Sequence, residues 1–149
     1  MPTDRSYIAL NDASRARLEA FVRRCSDADL AKAMPAGWTV AAVLAHVAFW
    51  DERASLLAER WEQQGVAPTP VDGAHVDWIN DAPKPMFLAL PPRRAAELAL
   101  VAAEAADRRM AALSDEMIAR NASAGSPLTL LRAEHRREHL DEIEHVLGR

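Results

Sequence analysis

Along most of this chain apolar residues recur every three or four positions, the period of a helix that buries one face. Leu18, Phe21 and Val22 mark a first helix over 12–24, with Asn11 or Asp12 as its cap. Ser26 or Asp27 starts a short helical turn over 26–34, and Pro35 and Gly37 then break the chain. The second long helix has the clearest start. Thr39 is a natural N-cap, and Trp38 before it can staple onto Val43. Val43, Leu44, Val47, Trp50, Leu57 and Trp61 carry this helix to Gln64, where Gly65 stops it. Such a helix of about 25 residues is roughly 38 Å long. A third helix follows Pro92 through Leu98, Val101, Ala105 and Met110 to Leu113. A fourth is predicted with Ser126 as cap and Pro127 at its first position, ending at Leu147 before Gly148. No segment has the alternation of a convincing strand, and no internal repeat is visible.

Two connections interrupt the pattern. Residues 65–92 hold six of the nine prolines, Pro68, Pro70, Pro83, Pro85, Pro91 and Pro92, with room for a helical turn at 75–80. The stretch is far longer than the 2–8 residues that join antiparallel neighbours. It therefore reads as a crossover, which makes the second and third helices parallel. Residues 114–125 form the other connection, with a turn of helix expected at 115–119. The predicted fold is all-α: a single four-helix bundle domain spanning 1–149.

Composition narrows the function classes. The 149 residues are half hydrophobic and 27% charged, which suits one globular domain. A net charge of −4 gives no basic surface for nucleic acid. No apolar run approaches the roughly 20 residues of a membrane span, and the start lacks the pattern of a signal peptide. The lone Cys25 fits a reducing cytoplasm, excludes a cysteine-rich zinc framework, and reads as a bystander. Abundant alanine and arginine with scarce lysine suggest a bacterial source.

The chemistry lies in the histidines. His135 and His139, four apart on the last helix, stand one turn above each other and point the same way. His46 lies between Val43 and Trp50 on the inward face of the second long helix. Alone, His46 is a core histidine bonded to a carbonyl, and the pair alone is part of a polar stripe that includes Glu134, Arg136, Arg137, Glu138 and Asp141. Together the three reach a common height. Burying three unpaired imidazoles in one place is costly, and a divalent metal satisfies all three. Glu142, on the face of His139, is the best outer partner for an imidazole N–H, with Glu138 and Glu134 as further candidates. Trp50 and Asn80 are candidate substrate- or cofactor-binding residues. The plainer readings are core packing for Trp50 and a helix cap for Asn80. His145 falls on a different, solvent-exposed face. His75 has no partner at ligand spacing, and Trp61 and Trp78 read as packing residues.

The run 38–47 with Trp50-Asp51, the segment 76–80 ending in Asn80, and the terminal His135-x-x-x-His139 resemble the DinB-like superfamily in order and spacing. That superfamily includes mycothiol- and bacillithiol-dependent transferases and mycothiol-dependent maleylpyruvate isomerases. The resemblance implies an up-down-down-up bundle, frequent homodimers, and a zinc or nickel site ligated by His46, His135 and His139. The additional C-terminal domain of some isomerases is not present in these residues, which argues against that role. Three histidines leave coordination positions open, as in catalytic sites. An open position binds a thiol, which loses its proton, or water. The leading expectation is transfer of a low-molecular-weight thiol to a small electrophile. Metal-assisted hydrolysis and a non-catalytic metal- or small-molecule-binding stress protein are the alternatives.

Overall fold

A computed structural model describes residues 2–149. Eight α-helices lie among them: α1 (Tyr7–Arg24), α2 (Asp27–Ala31), α3 (Val40–Gln64), α4 (Gly73–Asp81), α5 (Lys84–Ala89), α6 (Pro92–Ala111), α7 (Asp115–Ser123) and α8 (Ala133–Leu147). No strand is found among the described residues, and no helix there is long and apolar enough to cross a membrane.

Side-chain contacts give the directions of the four long helices. Tyr7 Oη, at the start of α1, donates to Met110 O at the end of α6, 2.7 Å away. Arg93, at the start of α6, donates to Cys25 O just beyond α1. The two helices are therefore antiparallel. Arg109 near the end of α6 faces Glu59 and Glu62 near the end of α3, so those two run parallel, as the long crossover predicts. Arg17 on α1 reaches Asp141 and Glu144 on α8, while Asn11 meets the start of α8, which makes that pair parallel. The molecule is an all-helical bundle in which α1 and α8 run one way and α3 and α6 the other.

Small side chains set the main contact. α3 packs most extensively on α6, and both helices bury runs of alanine: Ala41, Ala45, Ala48, Ala54 and Ala58 on one, and Ala95, Ala96, Ala99, Ala102 and Ala103 on the other. Alanine adds little area per residue but lets two helices approach at the short end of the 8–10 Å range. Leu18, Phe21, Leu30, Leu44, Leu140 and Ile143 fill the core at one end, and Trp61, Met110, Leu113 and Leu128 fill it at the other.

The caps of α3 are those expected. Thr39 Oγ1 accepts from Ala42 N, and Gly65 closes the helix at φ 68°, a left-handed conformation open to glycine without strain. Three expectations fail for identifiable reasons. α1 begins at Tyr7 rather than at 12, because Tyr7 and Asn11, four apart, both have buried partners. The crossover holds a second helix, α5, since Pro83 is its N-cap and Pro85 falls in its first turn, where no intrahelical N–H is required. The Ser126-Pro127 start of the last helix is absent. Ser126 has φ 56°, and 126–132 is non-helical. The side chain of Asn121 clasps both N and O of Leu128. Asn11 Oδ1 accepts from Arg132 N and Ala133 N while its Nδ2 donates to Leu130 O. These tertiary bonds satisfy the backbone that a helix would otherwise serve, and α8 starts at Ala133 with its first N–H groups capped by Asn11.

Candidate metal centre

α3 and α8 are brought into register by a buried charge network. Asp51, fully buried, accepts from Arg132 Nε at 2.9 Å and from Arg136 Nε at 3.0 Å. Arg136 has no exposed side-chain surface. It also donates to both oxygens of Asp107 on α6, to Ser14 Oγ on α1 and to Ala103 O. Burial opposes the charge of Arg136, but the Asp107 and Asp51 carboxylates outweigh it and hold its pKa above the ordinary value. Arg136 is thus no part of a solvated polar stripe. It ties all four long helices together beside the histidines.

One turn from these contacts the three imidazoles converge. His135 Nε2 and His139 Nε2 are 3.1 Å apart, and His46 packs tilted against the His135 ring and edge to face with the His139 ring, with centroids at 5.2 and 4.7 Å. One ligand nitrogen from each lies within 4.8 Å of the others. Metal–nitrogen bonds of about 2.0–2.1 Å place tetrahedral ligands about 3.3 Å apart and octahedral ones about 2.9 Å apart. The pair on α8 is already at that separation. His46 Nδ1 and His135 Nδ1 are buried with no hydrogen-bond partner among the described residues. Burial, and then the neighbouring histidine His139, lowers the pKa of His46 to about 4. Burial, and then His139, His46, Arg132 and Arg136, lowers that of His135 to about 3. Both rings are therefore neutral at pH 7, the state that ligates metals. Neutral rings and ligand-like spacing together fit a divalent cation.

The surroundings sort the other candidates. Glu142 Oε2 lies 3.3 Å from His139 Nδ1, as an outer partner should. Glu138 and Glu134 are exposed, and neither bonds to a histidine among the described residues. Glu138 directly precedes His139 and so points about 100° away around the helix. The histidines sit on the wall of a cavity of about 1070 Å³, which Trp38, Trp50, Asp77, Asn80, Asp81, Arg132 and Glu142 also line. Trp50 Nε1 donates to Asn80 Oδ1 at 2.7 Å, which docks α4 along the cavity. Asn80 is thus paired with Trp50 rather than serving as a helix cap. His145 is exposed but also lines this cavity. His75 lies apart, on α4, against Asp72. Trp61 is buried, whereas Trp78 is 61% exposed and packs no core. Cys25 is buried, and burial pushes its thiol pKa up, as suits an inert side chain.

Sequence reasoning missed Trp38 and Arg132. The Trp38 and His46 rings meet edge to face with centroids 5.7 Å apart, and Lys84, from α5, lies over the Trp38 ring and donates to Ala36 O. Arg132 interleaves with the histidine pair as Arg132, His135, Arg136, His139, a double i, i+4 pattern that was available in the sequence. A family model described as the DinB superfamily matches residues 10–143. No curated protein and no solved structure matches the chain significantly.

Proposed function

The chain belongs to the DinB superfamily, and on that premise we propose that it is a metal-dependent enzyme transferring a low-molecular-weight thiol to a small electrophile. The observation that carries this reading is the convergence of His46, His135 and His139 on the wall of a large cavity. A zinc or nickel ion held by these residues would supply Lewis acidity that lowers the pKa of the thiol.

The chain's own residues do the rest. Glu142 orients the His139 ring through Nδ1, and Trp38 fixes the tilt of His46. Trp50 and Asn80 present an aromatic face and an amide to a bound molecule. The carboxylates of Asp77, Asp81 and Glu142 line the same cavity and can accept the proton that leaves the thiol. The assembly we expect is a cytoplasmic homodimer, which sedimentation of the purified protein checks.

The test uses protein loaded with zinc or with nickel, incubated with cysteine, glutathione, mycothiol or bacillithiol and a panel of small electrophiles. Thiol-dependent conversion well above that of His46→Ala is expected. Turnover no greater than the variant's with every thiol would refute the proposal, and thiol-independent turnover would move the assignment to hydrolysis.

A further inference from the structure

The buried charge network is unevenly balanced, and the imbalance faces the cavity. Asp51 and Asp107 serve three guanidiniums, those of Arg15, Arg132 and Arg136. Arg15 also draws on Asp12 and Glu19 at the surface, and Arg136 takes both oxygens of Asp107. Arg132 has only its share of Asp51, through Nε, and a long 3.4 Å contact from Nη1 to Thr129 O. Its side chain is 8% exposed, it lines the cavity, and its Nη2 has no protein partner among the described residues.

A second cation stands nearby. The Arg53 guanidinium lies 5.2 Å from the centroid of the Trp50 ring, which lines the same cavity. It makes no ion pair among the described residues. Burial, and then the charge of Arg132, lowers its pKa. Neither guanidinium has a carboxylate of its own: Arg53 has none among the described residues, and Arg132 shares Asp51 with Arg136, while Asp77, Asp81 and Glu142, which line the cavity, pair with neither. That arrangement costs free energy until an anion joins it.

We propose that the cavity binds a substrate carrying an oxyanion, a carboxylate or a phosphate, docked on Arg132 with Arg53 adding its charge beside Trp50. This rests on the reading of the cavity as the active site. Guanidinium N–H groups match the paired oxygens of either anion. Arg132 is the N-cap of α8, three residues before His135, and both side chains line the cavity. The anionic group of the substrate therefore sits only a few bonds from the atom that reacts beside the histidines, which selects small, acidic electrophiles over neutral ones.

The test is calorimetric binding with two matched pairs, succinate against succinamide and methyl phosphate against trimethyl phosphate. Each is titrated into zinc-loaded protein and into protein stripped by chelation, so that attraction to zinc is separated from attraction to arginine. At least one anion should bind about tenfold or more tightly than its neutral partner in both forms. The pair with the larger preference identifies the anion. Arg132→Gln should erase the preference. Arg53→Gln, which leaves Asp51 and its partners untouched, should reduce it several-fold with zinc content and unfolding temperature unchanged, and it decides the matter if Arg132→Gln does not fold. No preference in stripped protein, or a preference that survives Arg53→Gln and a folded Arg132→Gln, would overturn the subsite. A retained preference without turnover on any thiol would remove the transferase reading and leave the subsite. Turnover of neutral electrophiles without any preference would do the opposite.

Discussion

His139 meets both the centre and its periphery. Nε2 lies beside His135, and Nδ1 lies beside Glu142. An outer carboxylate of this kind fixes the ring and raises its basicity, and its loss ordinarily costs 10–100-fold in metal affinity. Glu142 is 59% exposed, so solvent screens it and the lower end applies. We expect Glu142→Gln to weaken zinc binding about tenfold by competition with a chromophoric chelator, while His46→Ala, purified without a histidine tag, retains under about one-tenth equivalent of metal. Wild-type stoichiometry near one, lost in each single histidine variant, is the pattern a three-ligand site requires. These residues were legible because the helical period alone places His46, His135 and His139 inward. Arg136 was not. A period shows which way a side chain points, and a run of charges conceals that one of them has two buried carboxylates waiting on other helices.

At the scale of elements, the start of α8 is decided by side chains distant in sequence. Ser-Pro is a strong local signal for a helix start, yet Asn11 and Asn121 outbid it by satisfying the backbone of 128–133 directly. Nothing within the segment reveals that, which is why the boundary was misplaced while α3, whose Thr39 and Gly65 caps are local, was read correctly. Asn11→Ala removes three hydrogen bonds from a buried position and should destabilise the protein by about 2–4 kcal/mol in urea denaturation. Arg136→Met leaves Asp51 and Asp107 buried with fewer partners, and should cost about 3–5 kcal/mol by the same measurement. Both substitutions loosen the start of α8, so metal affinity should fall along with stability.

For the whole molecule, acid sensitivity follows from the buried rings. The folded pKa values of His46 and His135, about 4 and about 3, lie below the ordinary 6.5. The unfolded chain takes up protons at these sites first, so the stability they confer is complete above pH 6.5. It declines as pH falls below that value and is exhausted once pH passes the folded pKa values. Metal-free protein should therefore lose stability between pH 6.5 and 5, before most carboxylates titrate, and His46→Gln/His135→Gln should flatten that slope in urea titrations at each pH. The bundle and the parallel pairing of α3 with α6 were legible from helix periods and connection length. The depth of the cavity was not, because it depends on how α4 docks through Trp50 and Asn80.

The alanine seam between α3 and α6 has a consequence for the opposite side of α3. Contacts between small side chains leave no flexible atoms to absorb an added methylene, so a larger residue there acts as a wedge. α3 is a rigid rod of 25 residues that carries Ala45 and Ala48 toward α6 and His46 toward α8. A wedge at Ala99 or Ala103 would tilt that rod as a lever, with the buried Asp51 contacts as its fulcrum, and would move the His46 ring relative to the pair on α8. The spacing of the three nitrogens is in this sense calibrated from behind, by core residues that do not line the cavity.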